Sequence, residues 1–331
     1  MQTLSLRRAM ICVAATLAAG CGGAGVLDSP GSQLASQHSS YLPQFEMAQQ
    51  SFAGPALITI NTNNGKLEDW PIRTWGGHDP KPRSKALGVS GAYAMAADGN
   101  TLAIPAGNSV LLYNLANAET ATLPDPYGFP IDVAFGKHGT LYALNVASGA
   151  GNLVMYRASS PQPQLLTCAY IATGEEIAVD NEGDVFVNGY EKNTPTGVVE
   201  IPNPLGAQPE SCFRLKLNYE NSPAGLAIDP KTDDLITLDN PGQCAGGEEG
   251  RMTIYSKPYE RSKAVVRNLG GNCTGELRLD ATSTIVFYGD EDVSGSYTYI
   301  QQRTYPDGKD LGTYWGGGSG GFTTIPNRLA N

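Results

Sequence analysis

Histidine is scarce in this chain: three in 331 residues, at His38, His78 and His138. Histidine is the usual general base near neutral pH, and its rarity argues against a His-activated nucleophile. No GxSxG elbow between a strand and a helix (GGGSGG, 316–321, joins two strands), no GxxxxGK[ST] phosphate loop and no CxxC or CxH pair occurs, which argues against an α/β-hydrolase, a P-loop NTPase and a structural zinc site. Clustered Lys and Arg are also missing, and the net charge is −10. A polyanion-binding protein needs a basic face, so no nucleic-acid partner is expected. Beyond the first twenty residues no apolar run is long enough to cross a bilayer of roughly 30 Å.

The N-terminal segment carries a targeting pattern. Arg7 and Arg8 precede the run AMICVAATLAA (9–19), which is too short for a stable transmembrane helix, and Gly20-Cys21 follow. Leu17-Ala18-Ala19-Gly20-Cys21 resembles the lipobox of bacterial lipoproteins. The resemblance implies removal of residues 1–20, lipid attachment at Cys21, and a place in the bacterial cell envelope, periplasm-facing or at the surface. Residues 21–50 are rich in Gly, Ser and Gln and read as a flexible spacer, leaving 51–331 as the folded domain.

Besides Cys12 and Cys21, four cysteines remain: Cys168, Cys212, Cys244 and Cys273. In an oxidising compartment an even number favours two disulfides, with three connectivities open. Cys244 leaves a second strand and Cys273 enters the next inner strand, so the expected pair is Cys244–Cys273. Cys168–Cys212 is then the remainder, between outer strands whose separation threatens to exceed disulfide reach.

Internal repetition decides the fold class. Five alternating runs recur: TLAIP (101–105), TLYAL (140–144), DVFVN (184–188), DLITL (234–238) and TIVFY (284–288). Each follows an apolar run and a turn rich in Asp, Asn, Gly or Pro, residues that accept hairpin φ values. A third strand comes after each, at 109–113, 152–156, 197–201, 251–255 and 296–300, and then a more polar fourth, such as 119–123 or 213–217. Four antiparallel strands per unit form the blade of a β-propeller. Residues Ala56–Ile60 and Lys66–Trp70 look like second and third strands with no inner partner, whereas 321–326 look like an inner strand with nothing after it. The ends therefore share one blade, which closes the ring and hides its edges. Counting from Ala56, Thr101, Thr140, Asp184, Asp234 and Thr284 gives an all-β, six-bladed propeller of four-stranded antiparallel blades. Tyr113, Tyr156, Tyr255, Tyr299 and Trp70 recur once per blade and are expected to pack between blades.

The phrase EIAVDNEGDVFV (176–187), followed by GLAID (225–229), resembles the repeat of NHL-type and SMP-30-like six-bladed propellers, though the Asn-x-Arg-Ile step of NHL units is missing. The SMP-30-like resemblance implies one divalent cation held near the channel mouth by Glu, Asn and Asp. Glu176, Asn145, Asn188 and Asp239 are the matching candidates, with Ca²⁺ or another hard cation as the expected ion. Asn and Asp also end strands and build turns without any ion. Glu248, Glu249, Asp290, Glu291 and Asp292 form an expected acidic rim on the same face, where a protein, a small molecule or a cation would bind. Three functions follow as expectations: a non-catalytic binding or scaffold module, a metal-dependent SMP-30-like hydrolase or lactonase, and, less well supported by the histidines, a streptogramin-lyase-like enzyme.

Overall fold

Turn-separated apolar runs of about five residues cannot bury themselves alone, and in the computed structural model they pair into six four-stranded antiparallel sheets. The structure describes residues 56–61, 65–72, 83–89, 92, 94–147, 150–160, 162–191, 194–205, 212–217, 223–240, 250–269, 274–291, 297–315 and 319–325. The sheets are the blades of a β-propeller, with almost no helix among these residues.

The first strands of blades 2 to 6 are Ala96–Asp98, Phe129–Phe135, Thr173–Val179, Pro223–Ile228 and Thr274–Leu279. Their second strands are Thr101–Pro105, Leu141–Ala147, Val185–Glu191, Leu235–Asp239 and Ile285–Glu291. Blade 1 is the shared one: Ser319–Ile325 pairs with Ala56–Asn61, which pairs with Lys66–Pro71 and then Arg83–Ala86. Each first strand also packs against the first strands of its two neighbours, so these six line the central axis.

The core is distributed around the ring. Six buried apolar clusters each join residues of two adjacent blades: Ala103 and Leu112 meet Ala143 and Val154, and Phe186 and Val198 meet Leu226 and Tyr255. Trp70, Tyr113, Tyr156 and Tyr255 are buried in these seams, as expected for one aromatic per blade. Tyr299 departs from the pattern. The third strand of blade 6 runs Tyr297–Thr304, longer than its sequence suggested, and Thr304 rather than Tyr299 pairs with the start of the second strand. Tyr299 pairs with Asp290 near the opposite end and is half-buried.

Two glycines permit close packing at the axis. A Cβ on Gly321 would lie 2.1 Å from the Ala94 backbone, and one on Gly225 would lie 2.9 Å from Leu277 Cβ. Cys168 and Cys212 are disulfide-bonded with Cα atoms 5.9 Å apart, which corrects the expectation that the outer strands of blades 3 and 4 stand too far apart. The connection after the last strand of blade 3 carries Cys168 toward blade 4, and both cysteines pack on the seam between those blades. Cys244 and Cys273 lie outside the described residues, as does Cys21.

Candidate functional site

Four residues before the strand-ending Gly136, Asp180, Asp229 and Asp280, the first strands of blades 3 to 6 carry Asp132, Glu176, Gly225 and Glu276. The register between first and second strands shifts at this level in all four blades. Such bulges re-aim side chains, and here they coincide with three buried carboxylates. Glu276 has φ +43°, a left-handed conformation unfavourable for a residue with a Cβ.

Each carboxylate reaches the next blade. The Ile177 N–H donates to Asp132 Oδ2 at 2.9 Å, and the Leu226 N–H donates to Glu176 Oε2 at 2.7 Å. The Phe322 N–H donates to both Glu276 oxygens at 3.1 and 3.2 Å, joining blade 6 to the shared blade 1. Charge-assisted bonds of this kind are about twice as strong as neutral ones. Gly225 and Gly321 hold the corresponding places in blades 5 and 1, where the neighbouring chain leaves no room for a side chain.

Arg278 completes the channel. Its Nη2 lies 3.1 Å from Glu276 Oε1 on its own strand and 3.2 Å from Asp132 Oδ1 on blade 3, diametrically across the ring. It also donates to the Met95 carbonyl of blade 2 at 3.3 Å. Burial pushes the Asp132 carboxyl above its ordinary value, with Arg278 pulling the other way. Glu276 is raised well above the carboxylate range, first by burial, and the neighbouring Glu176 and Asp132 push in the same direction. Sequence reasoning missed Arg278, yet the signal was present: ELRL (276–279) has Arg where DVAF, EIAV and GLAI have Ala134, Ala178 and Ala227.

The four expected cation ligands are all buried. Glu176 and Asn188 are neighbours, the Glu176 N–H donating to Asn188 Oδ1 at 2.8 Å. Asp239 Oδ2 is paired with Arg251 Nη2 at 2.6 Å. Asn145 Nδ2 donates to Asp125 Oδ2 at 2.9 Å in the seam between blades 2 and 3, a partner the sequence did not single out. Of the expected acidic rim, Glu248, Glu249 and Asp292 lie outside the described residues, and of Asp290 and Glu291 only the backbone is described.

At the opposite face, in the turn joining the first two strands of blade 4, Asp180, Glu182 and Asp184 bring carboxylate oxygens within 4.8 Å of one another. Lys257 of blade 5 supplies the local cation, 2.8 Å from Asp180 and 2.6 Å from Glu182. Asp180 Oδ1 also accepts from the Glu182, Gly183 and Asp184 N–H groups, each at 2.9 Å, so this cluster builds the turn and joins two blades.

No family model matches the chain, and no curated protein does. Solved structures do match. One is a chain in the crystal structure of a nidogen/laminin complex, with TM-score 0.68, 15% identity, and 83% of this chain and 100% of that chain covered. Another is TolB from Acinetobacter baumannii, with TM-score 0.62, 13% identity, and coverage of 84% and 68%. At these identities the likeness is one of fold, and it defines the class: a six-bladed β-propeller.

Proposed function

We propose that this chain is an extracytoplasmic, lipid-anchored propeller acting as a binding or scaffold module, tethered to the bacterial cell envelope through Cys21. The observation that carries this reading is the use of the channel acids. Asp132, Glu176 and Glu276 hold the neighbouring blade by its backbone, and Arg278 spans the axis between blades 6 and 3. Groups so occupied are poorly placed to act on a substrate, which leaves the outer surfaces and the loops to recognise a protein or small molecule. The Cys168–Cys212 disulfide supports an oxidising compartment.

The test is photo-crosslinking in the cell from two positions. Phe129, half exposed where the chain enters blade 3, marks the loop face, and Glu182 marks the opposite one. Discrete adducts from Phe129 and none from Glu182 are expected; adducts from neither would overturn the module reading. Cys21→Ser should move the protein into the soluble fraction, and continued membrane retention would contradict the anchor.

One observation favours the SMP-30-like lactonase as a second reading: Glu176 and Asn188 stand side by side at the channel. Lactone turnover that needs a divalent cation would select it.

A further inference from the structure

We propose that Asp125, Asn145 and Asn152 form a site for a hard divalent cation of the calcium type, between blades 2 and 3 at their loop-face end. It lies apart from the channel and takes only Asn145 from the expected cation ligands, the other three of which, Glu176, Asn188 and Asp239, lie on blades 4 and 5.

Strand pairing places Asn145 directly opposite Asn152, so their side chains leave the same face of blade 3. Ala143, Val154 and Tyr156 use that face to pack against blade 2. The bond from Asn145 Nδ2 to Asp125 Oδ2 fixes the orientation of a fully buried amide, because the reversed amide would set a carbonyl oxygen against a carboxylate. Asn145 Oδ1 takes no part in that bond, and it is buried with no partner. Asn152 repeats the arrangement: Nδ2 donates to the Tyr127 carbonyl at 3.3 Å, and Oδ1 is buried with no partner. Two orphaned acceptors on cross-strand neighbours need a donor or a positive charge.

Asp125 selects the charge. Its carboxylate is 2% exposed and accepts from the Tyr127 N–H at 2.9 Å and from Asn145 Nδ2, with Tyr156, whose hydroxyl donates to the Pro124 carbonyl at 3.5 Å, close by. Among the described residues no Lys, Arg or His forms an ion pair with it, whereas the channel acids have Arg278 and Asp180 has Lys257. Burying an ionised carboxylate without a countercharge is costly. One carboxylate and two amide oxygens, completed by water, are the ligand chemistry of calcium. The connection closes over the amides at Gly128, where a Cβ would stand 3.0 Å from Asn145 Cβ.

Terbium and calcium titrations of the purified protein test the site, since Tyr156 beside Asp125 is positioned to sensitise terbium emission. Saturable emission, displaced by calcium, and a rise in Tm with millimolar calcium are expected. Asn152→Ala, at a half-buried position, should weaken binding at least about tenfold while leaving the fold intact. Asp125→Asn should abolish binding, and Glu182→Gln in the opposite-face cluster should leave it unchanged. Absence of saturable emission from the folded wild type would mean that water satisfies the two oxygens, and would overturn the proposal. Emission unaffected by Asn152→Ala would do the same, whether or not Asp125→Asn folds.

Discussion

A single guanidinium carries much of the electrostatics of this ring. Removing it by Arg278→Ala leaves Asp132 and Glu276 buried without a countercharge, which costs about 3–5 kcal/mol when one partner of a buried ion pair is lost. Both carboxyls already sit above their ordinary values, so protonation relieves the defect, and the deficit should shrink in acid. Urea unfolding at pH 8 and pH 5 measures it, and an equal loss at both values would contradict the assignment. Glu200 gives a second pH signature. Burial, and then the Asp184 and Asp180 carboxylates, push it up to about 7, against 4.5 in the unfolded chain. A group raised in this way contributes stability that is complete below 4.5 and is lost as the pH climbs through 7. Glu200→Gln is therefore expected to raise Tm at pH 8 and to be neutral at pH 4, as thermal unfolding at the two values would show. Glu176 and Asn188 stood out in the sequence as polar residues bordering apolar runs, although both lie in the middle of their strands, Thr173–Val179 and Val185–Glu191. The partners of Asn145 were not, because Asp125 and Asn152 meet it only through blade docking and strand pairing.

At the scale of strands, the alternation of short apolar runs with Asp- and Gly-bearing turns specified where all six second strands begin to within a residue, although those of blades 3, 4 and 6 continue three residues past the expected runs. The third strand of blade 6 was harder to read. It runs to Thr304, four residues past the expected 296–300, so a tyrosine at the expected spacing fell at the wrong end of the strand. Outer strands were also overextended: 213–217 contains only Phe213–Arg214 as paired strand, since polar outer residues carry a weak pattern. The disulfide compensates at this edge by fastening Cys212 to Cys168 over a separation of 44 residues. Replacing both cysteines by Ala should lower stability by about 4 kcal/mol in the chain-entropy model. Denaturant titration would detect this, and a loss below about 1 kcal/mol would mean that the outer edge is held by other contacts. On the inner side, Gly321→Ala would drive a methyl group into the Ala94 backbone, which cannot rotate away. A cost of about 1–3 kcal/mol or more is expected from such overpacking, together with weakened docking of the C-terminal strand.

For the whole molecule, closure explains why both ends looked incomplete as sequence. The Ala56–Asn61 strand had no inner partner and Ser319–Ile325 had no outer one, because each is the other's neighbour. What no linear reading supplies is the diameter of the ring, which sets blade 6 opposite blade 3 and lets Arg278 find Asp132 across 146 residues of chain. That geometry makes ties between blades of three acids, of which only Glu176 was an expected cation ligand. Whether they act as ties or as a catalytic centre is tested most directly by assaying the purified protein for lactone hydrolysis with calcium, manganese or zinc. Turnover no faster than that of the metal ion alone is the predicted result. Metal-dependent hydrolysis by the wild type that disappears in Glu176→Gln would contradict it.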